Sequence, residues 1–126
     1  MRINVSAFGA RLPNKIAISN TAPANSRTLQ TIIMELGPGH ELFQRLIPDK
    51  KIWFDYKRGE ITWEQFEVAY QTQIEFLNLR KIMRILCNHL GAEEITLCCW
   101  EAANDEHCHR KLLFDNFHDS YMGVRK

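Results

Sequence analysis

The run EITLCCWE at residues 94–101 is apolar along most of its length and short enough to be a single strand buried within a sheet. Two further runs, INVSAF from Ile3 to Phe8 and KIAIS from Lys15 to Ser19, are likewise short, β-branched and apolar, with Gly9 and Pro13 between them. Helical patterns fill the interval before the third run. Strands interleaved with helices predict a small three-layer α/β domain, its sheet largely parallel and flanked by helices. At 126 residues the chain holds one such domain, 1–126, with the residues after about 118 forming a tail or the end of the last helix.

Helical spacing begins near Ser26 or Arg27 and runs through Leu29, Ile32, Ile33 and Leu36. It stops at Gly37-Pro38-Gly39, where a left-handed cap and a following proline are expected. A short helical turn, HELFQRL, follows and ends at Pro48. The stretch KKIWFDYKRGE then reads as a connection to Thr62-Trp63-Glu64-Gln65, a capping box in which the Thr hydroxyl and the Gln side chain satisfy each other's backbone N–H groups. Trp63, Phe66, Tyr70, Ile74 and Leu77 share one helical face, but a second apolar face starts at Leu79 and takes in Ile82, Met83, Leu86 and Leu90. Two helices, or a marked kink near Asn78, are therefore expected, the second closed by Gly91. Met34 and Met83 read as filler on apolar faces, and His89 as a helix-end cation or hydrogen-bond donor. After the third strand the turn AAND offers Asn104 or Asp105 as cap to a final helix with Leu113, Phe114, Phe117 and Tyr121 on its apolar side.

Sixteen Lys and Arg against 15 Asp and Glu leave a formal charge of +1, so no global field attracts nucleic acid or an anionic membrane, while a local basic patch stays open. No apolar run approaches the roughly 18 residues of a membrane span. The N-terminus lacks the basic flank, apolar stretch and cleavage site of a signal peptide. A cytoplasmic chain with reduced thiols is expected, so Cys87, Cys98, Cys99 and Cys108 are weighed against plain burial before reactivity.

Alternation along the third strand sets Cys99 and Glu101 on one face, and Cys98 and Trp100 on the other. Its carboxyl end passes through a short turn into a helix start bearing His107, Cys108, His109 and Arg110. Ligands of open α/β sheets bind in that crevice, and a helix start favours an anion. Cys108 is there either a thiolate favoured by the helix start and Arg110, or a small hydrophobe under the sheet edge. Glu101 is a general base, a holder of a ribose-type hydroxyl, or the partner that orients Arg110. His109 is a proton shuttle or a donor to a loop carbonyl. Cys99, His107, Cys108 and His109 lack the paired spacing of a zinc site, and the last three diverge around a helix. Nor does the chain contain a glycine-rich phosphate loop, a G-x-S-x-G elbow or an H-E-x-x-H helix, so neither a metal nor a standard cofactor is implied.

Residues 50–58 interleave the cations Lys50, Lys51, Lys57 and Arg58 with Trp53, Phe54 and Tyr56, a composition suited to phosphates and to stacking on bases. The alternative has the aromatics anchoring the connection on the core while the cations face water.

The segment ITLCCWEAANDEHCHRKLL carries a C-x-E followed by a C-H-R, here Cys99, Glu101, Cys108, His109 and Arg110. On these residues the chain resembles the uncharacterised domain family numbered four hundred and eighty-eight. The likeness covers most of the chain: Ala7-Phe8-Gly9, the strand IAIS with its Pro23 turn, Leu36 and Pro38, and WFDYK stand in the order of the family's short members. The resemblance implies an α/β fold and a shared site at those five residues, with no established activity. Many relatives carry Arg or Cys just after the serine of the second strand; here Ser19 is followed by Asn20, which removes a charge or a thiol from the implied pocket. The tail SYMGVRK lies outside the pattern.

The leading expectation is a cytoplasmic α/β protein that binds an anionic ligand, a nucleotide or nucleic acid, and as an enzyme would process it, at Cys99, Glu101, Cys108, His109 and Arg110. Ser19, Asn20, Arg110 and Lys57 are the expected ligand contacts. The alternatives are a protein-interaction module in which the C-H-R cluster ties strand to helix, and a metal or thiol-redox protein. No membrane partner is expected, and the sequence names no protein partner. Arg110 separates the first two readings, because its five donors and fixed charge suit an oxyanion in a way a lysine does not reproduce. Arg110→Lys is expected to weaken ligand binding while the melting temperature holds. Unchanged binding in that variant, with Arg110→Ala unfolding at a lower temperature, would make the residue structural.

Overall fold

A computed structural model of the chain describes residues 1–9, 11–99, 113 and 124–125. Arg2–Ala7 forms β1, Lys15–Ala17 β2, Glu94–Cys99 β3 and Val124–Arg125 β4, all parallel in the order β2-β3-β1-β4. The chain is the expected small α/β domain, with helices flanking a parallel sheet. β3 takes an inner place, and its apolar run is buried without a break from Ile95 to Cys99. Val124 and Arg125 differ from the expected tail by pairing with Ile3 and Asn4. The backbone groups on the outer edge of β1 are what they extend. The sequence's final helix lies outside the described residues apart from Leu113, which is helical and fully buried.

Register and pleat divide the sheet into two unlike faces. Ile3, Val5 and Ala7 stand beside Ile95, Leu97 and Cys99, and Ile16 stands beside Leu97. From this face Ile3, Val5, Ile16, Ile95 and Leu97 join one core with the helices: α1 (Leu29–Leu36), a 3-10 turn (Glu41–Leu46), α2 (Lys50–Lys57), α3 (Trp63–Ile74) and α4 (Leu79–Leu90). Leu29, Ile32, Leu46, Met83 and Leu86 have no exposed surface in that core. The sequence's boundary signals act as expected. Thr62 and Gln65 close a reciprocal capping box on α3, Asn78 caps α4, and Gly91 ends it in the left-handed conformation that costs glycine least.

The opposite face is polar and equally buried. Asn4 and Thr96 are neighbours across β1 and β3, each with no exposed surface, and Ser6 lies beside Cys98. The connection from β1 to β2, residues 8–14, must return along the sheet and pass β3, and it draws polar partners from this face. Parallel strands usually need a crossover of about a dozen residues or more, commonly a helix that satisfies its own backbone. Residues 8–14 are too few for that, so the sheet supplies the partners. The Thr96 hydroxyl donates to the Pro13 carbonyl at 2.8 Å and accepts from the Asn4 amide at 3.2 Å. Lys15 Nζ donates to the Phe8 carbonyl at 2.9 Å, and the Asn14 amide donates to the Glu94 carbonyl at 2.9 Å.

Two expectations change. Residues 50–57 are a helix rather than a connection: the Asp49 carboxylate accepts from the Lys51 and Ile52 N–H groups, and one carboxylate inside the helix, Asp55, gathers Lys51 and Arg58 at 2.8 and 2.6 Å. Those two cations therefore hold a buried aspartate instead of simply facing water. Met34 is not filler, standing 82% exposed, because α1 presents only its Leu29 and Ile32 side fully to the core. Thr96→Val keeps the shape of the residue but leaves the Pro13 carbonyl and the Asn4 amide each short of a buried partner. A loss of about 1–3 kcal/mol is expected, read as a lower urea midpoint at unchanged slope.

Candidate anion-binding site

Parallel order brings the carboxyl ends of β1, β2 and β3 to one edge, where a ligand crevice is expected in such sheets. A cavity of about 400 Å³ opens there, lined by Phe8 just past β1, by Lys15 and Ala17 of β2, and by Pro23, Asn25, Ser26 and Arg27 of the following loop. The loop is tied down locally: Ser26 N–H donates to the Pro23 carbonyl at 2.9 Å, and the Ala17 N–H donates to the Arg27 carbonyl at 2.8 Å. The second bond, with the Ala17–Thr28 bridge, covers the outer edge of β2.

Both cations of the cavity are oriented by protein groups. Lys15 starts at the amino end of β2, yet its stem carries the ammonium to the Phe8 carbonyl at the carboxyl edge. Arg27 is held by Glu35, whose Oε1 accepts from Arg27 Nη2 at 2.5 Å and from His89 Nε2 at 2.7 Å. The His89 hydrogen bond first, and then the charge of Arg27, keep the Glu35 carboxyl below its ordinary range. Glu35 therefore stays ionised at neutral pH and fixes the guanidinium while leaving most of its donors unspent. His89 acts as the helix-end donor the sequence suggests.

The sequence-selected residues divide among several places. Cys99 stands at the carboxyl end of β3 with no exposed surface, on the face of Ile95 and Leu97, one pleat away from Cys98 and Ser6. Ser19 and Asn20 follow β2; the Ser19 hydroxyl donates to the Thr21 carbonyl and the Asn20 amide donates to the Pro48 carbonyl at 3.1 Å. Asn20 lines a second cleft, on the helical side, with Gln30 and Gln44. Lys57 ends α2, where its ammonium lies 5.5 Å from the Trp53 ring centre and 5.8 Å from that of Tyr56. Glu101, Cys108, His109 and Arg110 lie outside the described residues, as do Trp100 and His107. Cys87, Cys98 and Cys99 are buried thiols, and burial pushes the Cys87 thiol up, away from the reactive thiolate.

Sequence reasoning passed over Lys15, Asn25, Ser26 and Arg27. A lysine inside the run KIAIS was the available signal, since a cation opening a buried strand needs a polar destination. The aromatic stretch, in turn, serves the core. Tyr56, Trp63 and Phe66 form a packed triad with ring centres 5.3–5.6 Å apart, and the Tyr70 hydroxyl donates to the Leu46 carbonyl at 2.7 Å.

With fold and edge geometry in place, the class is that of small α/β proteins whose parallel sheet presents a polar carboxyl edge. The chain belongs to the family DUF488-N3a, described as the active DUF488-N3 subclade, whose model matches residues 9–120. No curated protein and no solved structure matches it. Among the described residues no helix is long and apolar enough to cross a membrane.

The α2 carboxylate makes a pH prediction. The hydrogen bond from Lys51 foremost, with the nearby charges of Lys51 and Arg58 adding to it, holds the Asp55 carboxyl below the ordinary aspartate range. The folded group thus binds its proton less tightly than the unfolded one, so its contribution to stability is present above about pH 4 and is lost as pH falls through the depressed folded value. Urea midpoints at pH 7 and pH 3 are expected to fall further in the wild type than in Asp55→Asn.

Proposed function

We propose that the protein binds an anionic ligand, a nucleotide or a nucleic-acid phosphate, at the carboxyl edge of its sheet. The observation that carries the reading is a cavity lined by both Lys15 and Arg27 together with Asn25 and Ser26, and among the described residues by no carboxylate. Two oriented cations with neutral hydrogen-bonding groups suit phosphate oxygens, and charge-assisted bonds of this kind are short and strong. The cavity lies past β1 and β2, at the edge toward which β3 also runs. In this reading Glu101, Cys108, His109 and Arg110 are the candidates for any processing of the ligand. The working compartment is the cytoplasm, where thiols such as Cys98 and Cys99 stay reduced.

Pyrophosphate is the probe, titrated calorimetrically at two salt concentrations. The wild type is expected to bind it with an affinity that falls as salt rises. The double variant Lys15→Gln, Arg27→Gln is expected to bind at least about tenfold more weakly, the loss of one to two charge-assisted hydrogen bonds. Absence of binding by the wild type, or equal binding by the variant at matched melting temperature, ends this reading.

A further inference from the structure

We propose that the cleft on the helical side of the domain is a nucleobase-reading site, taking the base of an adenine nucleotide by its edge and the phosphate by two flanking cations. The cleft has a volume of about 680 Å³ and is bounded by the segment after β2, α1, the 3-10 turn, the start of α2, and α3. Such a volume is ample for a small ligand.

The back wall is built in advance. Gln73 of α3 donates to the Arg45 and Ile47 carbonyls at 2.7 and 2.6 Å, and its Oε1 accepts from the Asp49 N–H at 2.9 Å. Every strong donor of that amide is committed, so Gln73 fixes residues 45–49 rather than greeting a ligand. Asn20 closes the same segment from the other side through the Pro48 carbonyl. Asp49 spends its carboxylate on the Lys51 and Ile52 N–H groups.

What remains uncommitted is a particular set. Among the described residues neither Gln30 nor Gln44 spends its side-chain amide on a protein hydrogen bond, and both line the cleft. Each presents a donor and an acceptor at fixed spacing, the pattern that pairs with the N6 amine and N7 of adenine. Ile47, Pro48 and Ala69 offer an apolar floor for the flat face of a ring. Arg45 and Lys50 stand beside it, the first making a long 3.4 Å contact with the Gln73 carbonyl and the second 5.9 Å from the Phe54 ring centre. Neither is bound in an ion pair among the described residues, so both are available to a phosphate.

This goes beyond the carboxyl-edge reading, because the cleft has its own cations and shares no lining residue with the Lys15–Arg27 cavity. The test uses adenosine, adenosine monophosphate and inorganic phosphate on the whole chain, followed by the side-chain amide resonances of Gln30 and Gln44. Adenosine is expected to move both resonances, and the monophosphate to bind about tenfold more tightly than adenosine through charge-assisted contacts. The variants Gln30→Ala and Gln44→Ala are each expected to weaken adenosine binding about tenfold, the worth of a base-edge amide pair. Lys50→Gln should weaken the monophosphate and spare adenosine. Lys15→Gln with Arg27→Gln should leave all of this intact, which separates the two sites. Should phosphate alone reproduce the shifts of the monophosphate, or the glutamine variants bind adenosine as the wild type does, the cleft reads no base and the proposal is overturned.

Discussion

The Thr96 hydroxyl sits with no exposed surface between the Pro13 carbonyl, to which it donates, and the Asn4 amide, from which it accepts. Its place follows from a length constraint. A parallel return from β1 to β2 past β3 is made by residues 8–14, too few for a helix that would pair its own N–H and C=O groups. The carbonyls left open by that loop have to be met by the sheet: the Thr96 hydroxyl donates to Pro13, the Thr96 N–H to Asn14, and the Lys15 ammonium to Phe8. A wholly apolar face here would strand the loop's backbone at a cost of one to several kcal/mol, roughly 1–3 for each unmet group. Thr96 is thus polar because the crossover is short, and Asn4 beside it donates to the Thr96 hydroxyl and to the Glu94 carboxylate.

The same constraint shapes the candidate site. The short loop delivers Phe8 and the Lys15 ammonium together to the carboxyl edge. The loop after β2 then folds back along the strand, bonded through the Arg27 carbonyl and the Thr28 bridge, and so brings Arg27 into the wall of the cavity that Lys15 also lines. Glu35 and His89 hold Arg27 from α1 and α4, joining the site to the helical layer through a surface network rather than through the core.

Legibility in the sequence followed the range of the interaction. Strand and helix limits were readable wherever a neighbouring residue sets them: Thr62 with Gln65, Asn78 three residues before Lys81, and Gly91 after Leu90. α2 was harder, because its charges and rings resemble an exposed connection, and what makes it helical is the Asp49 cap and a carboxylate at 55 spaced for both Lys51 and Arg58. Met34 misled for a related reason: helical spacing gives a face, not its width, and the core reaches only to Leu29 and Ile32 on α1. The polar sheet face was hidden altogether, since Asn4, Pro13 and Thr96 are brought together by pairing across residues some 80–90 apart in sequence. The family, by contrast, was legible from Cys99, Glu101 and the C-H-R triplet, and the matched span of residues 9–120 includes all of them.

The two cavities differ in the chemistry their walls leave over. At the carboxyl edge the cations are pinned by a carbonyl and a carboxylate, and the neutral groups between them are short. On the helical side Gln73 consumes itself in fixing the wall, and among the described residues the amides of Gln30 and Gln44 have no protein partner. Pinned cations recognise charge wherever it is carried; open amides on a rigid wall recognise the pattern of donors and acceptors. The helical-side wall thus leaves over two neutral amides beside the charged Arg45 and Lys50, and the carboxyl edge leaves over pinned charge, so the two walls suit different parts of a ligand.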